Sequence, residues 1–381
     1  MAAIGPEYGF GLYVHWPICT RICPYCDFNV YAARDRDSED LVNAILADLE
    51  SHKNILPAHP ELDSIFFGGG TPSLLGGPQI DKIIASTVTL FGLKPGAEVT
   101  LEANPNDVLR QNPQDWVSAG INRVSLGVQS LDDQALHFLG RDHDAGTARK
   151  ALDRIQPVFD NHSVDLIYAR PNQSPDQWVA ELSDTLALGA PHLSLYELTI
   201  EERTAFGKRA ARGELLPMED DAQADLYELT QEICEAQGLP AYEVSNHARS
   251  DAYQSQHNHI YWANGDWIGV GPGAHGRLTV QGRRLATEAA RRPDDYVANP
   301  GPIRTDLSQS DTAREFLAMA LRPVSGFDLQ RFEHLFGQAP DTNTLRDLAE
   351  NGHVEITGTT LKLTQSGRLM ADYIASLLAP Y

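Results

Sequence analysis

The sequence predicts an α/β protein: a partial (β/α)6 barrel followed by a small α+β module of the winged-helix kind. Two observations carry the barrel. Six short β-rich runs alternate with helical patterns over the first half of the chain, which argues for repeated β-α units around a parallel sheet. Each run is also followed or ended by a polar or glycine-rich signal, and parallel α/β enzymes build their sites at such strand ends. A third observation carries the tail, where helices and one hairpin follow in winged-helix order. Six units are fewer than the eight of a closed barrel. An open sheet is therefore the second arrangement, and the strand-end signals favour the splayed barrel.

The expected strands are Phe10–His15, Ser64–Phe67, Glu98–Glu102, Arg123–Val128, Val164–Tyr168 and Leu193–Leu198. The helical patterns between and after them are Ser38–His52, Pro78–Phe91, Pro113–Ala119, Asp132–Leu139, Ala145–Val158 and Pro175–Leu188. Residues 1–210 make this barrel. An extension, 211–300, follows. In it Leu226–Ala236 reads as a helix, Ala241–Asn246 as a strand, and Ser255–Trp267 as an aromatic, imidazole-rich, turn-rich segment. Leu278–Val280 and Arg284–Thr287 flank Gln281-Gly282-Arg283 as a hairpin. The Pro/Asp/Asn-rich stretch from Pro293 to Pro302 marks the boundary to the tail, 301–381. There Ala313–Leu321, Asp328–Phe336 and Thr344–Asn351 read as helices, Val354–Ile356 and Leu361–Leu363 as the wing, and Ser366–Leu378 as the closing helix.

Composition bounds the function. Of 381 residues, 52 are acidic and 30 basic, a formal net charge of −22. No basic stripe offsets that charge, which argues against nucleic acid as a partner. No apolar run reaches bilayer length. The first residues, Met1-Ala2-Ala3-Ile4-Gly5-Pro6-Glu7, lack a basic region and an apolar core, so neither a signal nor a transit peptide is expected. A reducing, cytoplasmic location follows and suits free thiols.

Three of the four cysteines lie in Cys19-Thr20-Arg21-Ile22-Cys23-Pro24-Tyr25-Cys26, directly after the first strand. Three thiolates on one short loop can meet one soft metal centre. A [4Fe–4S] cluster takes four thiolates as a rule, so three would leave one iron open to a chelating group. A zinc site would need a fourth ligand, for which His15 or Asp27 are the neighbours at hand. A disulfide with one spare thiol is the third reading. The fourth cysteine, Cys234, reads as a small buried helix residue.

Further polar signals sit at the strand ends. Gly68-Gly69-Gly70-Thr71-Pro72 follows the second strand, where missing side chains let a backbone approach a ligand. Glu102 ends the third, Gln129 ends the fourth, and Asp165 lies in the apolar run of the fifth, where a carboxylate needs a partner. Each alone reads as a tight turn, a satisfied buried polar group or a helix cap. Together they line one face.

In their order and spacing, Tyr13, the three cysteines, the glycine run, Glu102, Gln129, Arg141 and Asp165 resemble the radical S-adenosylmethionine (SAM) proteins similar to oxygen-independent coproporphyrinogen III dehydrogenase. The resemblance covers nearly the whole chain, the tail included. It implies a radical SAM barrel in which Cys19, Cys23 and Cys26 bind a [4Fe–4S] cluster and SAM chelates the fourth iron. It implies further that Tyr13, Gly69, Gly70, Thr71, Glu102, Gln129, Arg141 and Asp165 hold SAM. Two departures from the dehydrogenase stand out. Phe28 occupies the place of its further cysteine, and its longer N-terminal segment has no counterpart here. Both departures look like the haem-chaperone (HemW) branch, as does His257-Asn258-x-x-Tyr261-Trp262, which matches that branch's HNxxYW motif. An imidazole is a good axial ligand for haem iron and aromatic rings can cover a porphyrin. The resemblance thus implies haem binding by His257, Tyr261 and Trp262. The plainer reading is a satisfied histidine in an aromatic core turn.

The expected function is a haem chaperone that passes haem to an acceptor protein, soluble or membrane-associated, as a monomer or dimer, without dehydrogenase activity. The alternative is the dehydrogenase itself, which decarboxylates coproporphyrinogen III by radical chemistry. A third reading is an interaction module with a structural cluster, against which the full set of SAM residues argues.

Overall fold

In the computed structural model, residues 4–33, 38–56 and 58–379 are described; Met1–Ala3 of the N-terminal stretch lie outside them. One mixed sheet of eleven strands carries the barrel. Its strands are β1 (Phe10–Trp16), β2 (Leu62–Gly69), β3 (Leu93–Ala103), β4 (Arg123–Gln129), β5 (His162–Tyr168), β6 (His192–Glu197), β7 (Asn246–Ala248), β8 (Asp266–Val270), β9 (His275–Val280), β10 (Arg283–Ala289) and β11 (Pro302–Asp306). Their order is β11-β10-β9-β8-β1-β2-β3-β4-β5-β6-β7. β8 and β1 to β6 run parallel, and both flanks are finished by antiparallel strands. The sheet has two free edges, so the barrel is splayed open on one side.

The six expected strands are all present, five of them extended by one or more residues and the sixth shifted by one, to His192–Glu197. Leu12, Val14, Ile65, Phe67, Leu101, Val124, Leu126, Val164, Leu166 and Leu193 supply its main apolar face and are buried. Helices cover that face. Ser38–Ile55, Gly77–Phe91 and Pro175–Ala187 are three of them, the last two with Pro at the first turn, where its missing N–H costs nothing. Trp178 stacks on Tyr168 at 4.8 Å, both buried, an arrangement worth about 0.5–1.5 kcal/mol beyond area burial. Among the described residues no helix is long and apolar enough to cross a membrane.

The extension differs from expectation in three places. Residues Ala241–Asn246 are not a strand. Only Ala241 bridges to His247, and the strand is Asn246–Ala248. The buried Glu243 carboxylate takes the Ser245 N–H at 2.5 Å and the Asn246 Nδ2 at 2.8 Å, which turns the chain before the strand begins. The aromatic segment is not a turn but a helix, Gln256–Trp262, capped by Ser255. Glu98, buried at the start of β3's inward face, accepts the Gln256 and His257 N–H groups at 3.2 and 3.3 Å. A carboxylate at that end favours the helix through its free N–H groups. Third, the short run Asp266–Val270 forms β8, a seventh parallel strand, beside β1.

The expected boundary near residue 300 also moves. Pro293–Ala298 is a helix, and Pro302–Asp306 pairs with β10, so the large sheet continues to Asp306. Tail residues from Ser308 onward then build a separate core. Phe316 meets Phe327, Phe332 and Phe336 at ring distances of 5.5, 5.8 and 5.9 Å. Helices Gln309–Ala320, Leu329–Phe336 and Thr342–Glu350, the wing Val354–Thr357 and Thr360–Leu363, and a third short strand, Phe327–Asp328, complete it. The closing helix is split into Gln365–Arg368 and Ala371–Leu378. Cys234 lies on the helix Asp220–Ala236, fully buried, and burial pushes its thiol up to about 12.

Candidate cofactor site

The cysteine loop leaves the end of β1 and is held at three points. Its stem pairs with Tyr31–Ala32 as a short ladder, Ile18 against Tyr31 and Cys19 against Ala32. Its inner side is clasped by the glycine run, with Gly70 N–H donating to Trp16 C=O at 2.7 Å and Thr71 N–H to Ile18 C=O at 3.0 Å. Its far end is fixed by the Phe206 N–H, which donates to Pro24 C=O at 2.9 Å. Gly70 has to be glycine for this clasp, because a Cβ there would lie 2.9 Å from the carbonyl oxygens of Trp16 and Ile18. The glycine run therefore has a structural task besides the one expected from sequence: it seats the cysteine loop.

A cavity of about 620 Å³ opens at the C-terminal ends of the parallel strands. Tyr13, Cys19, Cys23, Cys26, Gly69, Gly70, Thr71, Glu102, Gln129, Arg141, Asp165, His257 and Tyr261 all line it. Trp262 does not.

Its floor is acidic. Glu102 accepts the Gly69 N–H at 3.2 Å, and burial with Asp165 nearby pushes its carboxyl up to about 8. Asp165 accepts Ser125 Oγ–H at 2.8 and 2.9 Å and Ser163 Oγ–H at 3.0 Å. Burial still raises its pKa, against the opposing pull of these hydroxyls. Two half-buried carboxylates, neither ion-paired among the described residues, suit a ligand that brings positive charge or hydroxyl donors. Gln129 closes β4 in the left-handed region, φ 67°, a conformation that non-glycine residues adopt at a cost and that recurs at binding sites.

Arg141 reaches in from the loop after the Asp133–Phe138 helix. One arm donates to Cys23 Sγ at 3.6 Å and the other to Gly127 C=O at 3.0 Å, while its buried Nε has no partner. All four cysteines are free thiols. Burial raises the pKa of Cys19 and pushes Cys26 up to about 11. Among the described residues no three His, Cys, Asp or Glu side chains converge as ligands of one metal ion. His15, the nearest candidate for a zinc site, has both nitrogens engaged, with Tyr13 OH at 2.9 Å and Asn29 C=O at 3.0 Å. A cubane takes one thiolate per iron, at separate corners. Three thiols that line one cavity without converging on a single ion fit that demand better than a single-ion site.

The helix Gln256–Trp262 gives its aromatic residues two separate destinations. His257 and Tyr261, four residues apart, share the face toward the cavity. His257 is 1% exposed; its Nδ1 bonds Ser64 Oγ at 2.7 Å and its Nε2 bonds Tyr261 OH at 2.7 Å. Burial pushes its pKa down to about 3. Trp262, one residue on, points about 100° away and joins Tyr242 and His259 at 5.7 and 5.2 Å. The three residues expected to hold haem therefore share no common face, and His257 has no free nitrogen.

Sequence reasoning missed several lining residues, Ser125, His192, Ser194 and Tyr196, and Ser163, which bonds Asp165 and His192 from behind them. Their signal was the two-residue alternation of strands. Ser163 and Asp165, or His192, Ser194 and Tyr196, mark the inward face of strands whose other face is apolar.

The radical SAM superfamily profile matches residues 13–184, and the HemN C-terminal domain profile matches residues 307–370. The heme chaperone HemW of Escherichia coli is 34% identical over 96% of this chain and 97% of its own. The radical S-adenosyl methionine domain-containing protein 1, mitochondrial, of Dictyostelium discoideum is 36% identical over 97% of this chain and 94% of its own. The chain belongs to the radical SAM superfamily. The fold agrees with that of the coproporphyrinogen III oxidase HemN of Escherichia coli, a radical SAM enzyme, at a TM-score of 0.81 and 21% identity, over 100% of this chain and 92% of that one. Radical SAM proteins use a [4Fe–4S] cluster and SAM. The donor chemistry here fits both groups: three free thiols on one seated loop, an unpartnered buried Arg141 Nε beside them, and a paired carboxylate floor.

Proposed function

We propose that this chain is a haem chaperone, a radical SAM protein that binds haem and hands it to an acceptor protein in the cytoplasm. The near full-length similarity to proteins named heme chaperone HemW, from Escherichia coli at 34% and Bacillus subtilis at 31% identity, supports this reading. The dehydrogenase reading rests on a fold shared at 21% identity, and Phe28 stands where the dehydrogenase resemblance calls for a further thiol.

In this reading Cys19, Cys23 and Cys26 hold three irons of the cluster, and SAM meets the fourth. When bound, cluster and SAM supply one-electron and radical chemistry. The chain's own part is positioning. Arg141 places its guanidinium against Cys23 Sγ at 3.6 Å and so puts a cation beside the cluster ligands. Gly69, Gly70 and Thr71 present backbone to the methionine part of SAM. Glu102 takes the ammonium, and Asp165, with Ser125 and Ser163, takes ribose hydroxyls. Gln129 lies between them, and Tyr13 walls the cavity on the β1 side.

The test uses full-length protein reconstituted anaerobically with iron and sulfide. Haem should bind at about one per chain and leave when an apo-haem protein is added. Coproporphyrinogen III should be unchanged in the presence of SAM and reductant. Robust decarboxylation would make this an enzyme and end the chaperone reading.

A further inference from the structure

A second chamber, about 370 Å³, adjoins the main cavity and shares Tyr13, Phe28, Glu102 and Tyr261 with it. Its outer wall carries Trp267, His275 and Arg291. Haem as cargo asks for three things: a basic axial ligand, apolar area for the macrocycle, and a cation for its carboxylates.

The four histidines around the two chambers differ in one respect. His15, His192 and His257 each have both ring nitrogens hydrogen-bonded. His275, at the start of β9, has an imidazole 59% exposed, and its nearest charged neighbour is Glu288 at 3.9 Å, too long for a hydrogen bond. Its backbone is nevertheless fixed, since its C=O accepts the Trp267 Nε1–H at 3.1 Å. Trp267 is held in turn by Tyr261, edge-on at 4.6 Å, and by the guanidinium groups of Arg277 and Arg284 at 5.9 and 5.7 Å. Phe28, just past the cysteine loop, is 61% exposed, so its ring offers apolar area at the wall of the chamber. Arg291 is exposed at the same rim, on a chain of net charge −22.

We propose that haem lies in this side chamber with His275 as its axial ligand, Phe28 and Trp267 against the macrocycle, and Arg291 meeting a carboxylate. The assignment rests on the haem-chaperone reading and adds the place of the cargo. It sets haem beside the cysteine loop, with Phe28 as one wall. An exposed imidazole also suits a cargo that has to leave, because an acceptor's ligand can replace it from solvent.

The experiment titrates ferric haem into the anaerobically reconstituted full chain and reads absorption and EPR spectra, with cluster content as the check of folding. His275→Ala should abolish the imidazole-ligated signature and weaken binding about tenfold or more. His275→Cys should restore ligation with a thiolate signature. His137→Ala, on an exposed helix away from both chambers, should change neither. Unchanged spectrum and affinity in His275→Ala would overturn the assignment, and so would loss of the imidazole signature in His257→Ala alone. If the unaltered chain binds no haem, the chaperone reading itself falls, a result distinct from either.

Discussion

Arg141 Nη1 lies 3.6 Å from Cys23 Sγ, the one side-chain cation among the described residues in contact with a thiol of the cysteine loop. The contact joins the loop after β1 to the loop beyond β4, so two barrel units share the mouth of the cavity. A cation there also offsets the negative charge that iron and its thiolate ligands would bring to the loop.

Reconstituted protein should therefore hold about four irons per chain, the content of one cubane. Cys19→Ala, Cys23→Ala and Cys26→Ala should each lose it. Arg141→Met should keep all three thiols yet retain less iron, and the loss should be greatest at low pH, where protons compete with iron for the thiolates. Cys234→Ala should leave iron and sulfide counts unchanged, because its side chain is sealed in a helix far from the loop in sequence. Iron lost on changing Cys234 would remove the open-iron assignment.

Glu102 makes a pH prediction for the protein without SAM. Its carboxyl titrates at about 8 in the folded chain against an ordinary 4.5. Between these values the folded state keeps a proton that the unfolded state has released. Stability then falls as pH rises through the window, and the loss is complete above it. Glu102→Gln should flatten that slope and be more stable than the parent at pH 8.5 by roughly 1–3 kcal/mol. The same variant should weaken the change that SAM makes in the EPR signal of the reduced cluster, as should Thr71 and Asp165 variants, with iron content intact. Urea unfolding at two pH values checks the first half; an unaltered slope would show that another group is responsible.

Much of the fold was legible because it rests on local pattern. The six β-α units show in the two-residue and 3.6-residue periods, and the three cysteines identify their loop by crowding alone. What stayed hidden depends on partners distant in sequence. β8 is five residues long, carries a glycine at its fourth position, and becomes a strand beside the edge that β1 offers it. The helix Gln256–Trp262 is stabilised by Glu98, some 160 residues earlier. The fate of His257 was decided the same way. Its motif shows an imidazole among aromatics, but only the fold brings Ser64 to its second nitrogen. His275 carried no motif signal; its interest comes from exposure and from the chamber that β8 and β9 build around it.

Gln129 offers a test of strain at the site. Its φ of 67° follows a register shift between β4 and β5. Gln129→Val should cost about 1–3 kcal/mol, since a β-branched side chain resists that region. Gln129→Asn should be tolerated, and Gln129→Gly should unfold no earlier than Gln129→Asn. Thermal unfolding of the three variants orders them; a valine variant as stable as the parent would mean that the backbone relaxes.

The tail is clasped to the barrel by a pair that should be visible in unfolding experiments. Arg322, just beyond the helix Gln309–Ala320, donates to the Glu243 carboxylate through Nη2 at 3.1 Å and Nε at 3.2 Å. Glu243 is fully buried, whereas the Arg322 side chain is 33% exposed. Removing the arginine leaves a buried carboxylate with only the Ser245 N–H and Asn246 amide to face it. Breaking a buried pair from one side costs about 3–5 kcal/mol, and partial exposure of the arginine brings the expected loss for Arg322→Met down to roughly 1–3 kcal/mol. Glu243→Gln keeps two of its hydrogen-bond partners without the charge, so it should cost less. Because Arg277 and Glu315 pair at 2.6 and 2.8 Å across the same two units, Arg322→Met alone should leave one cooperative transition. Combined with Glu315→Gln it should split the curve, the tail melting before the barrel. A double variant that still unfolds in one step, at the sum of the single losses, would locate the coupling elsewhere in the contact.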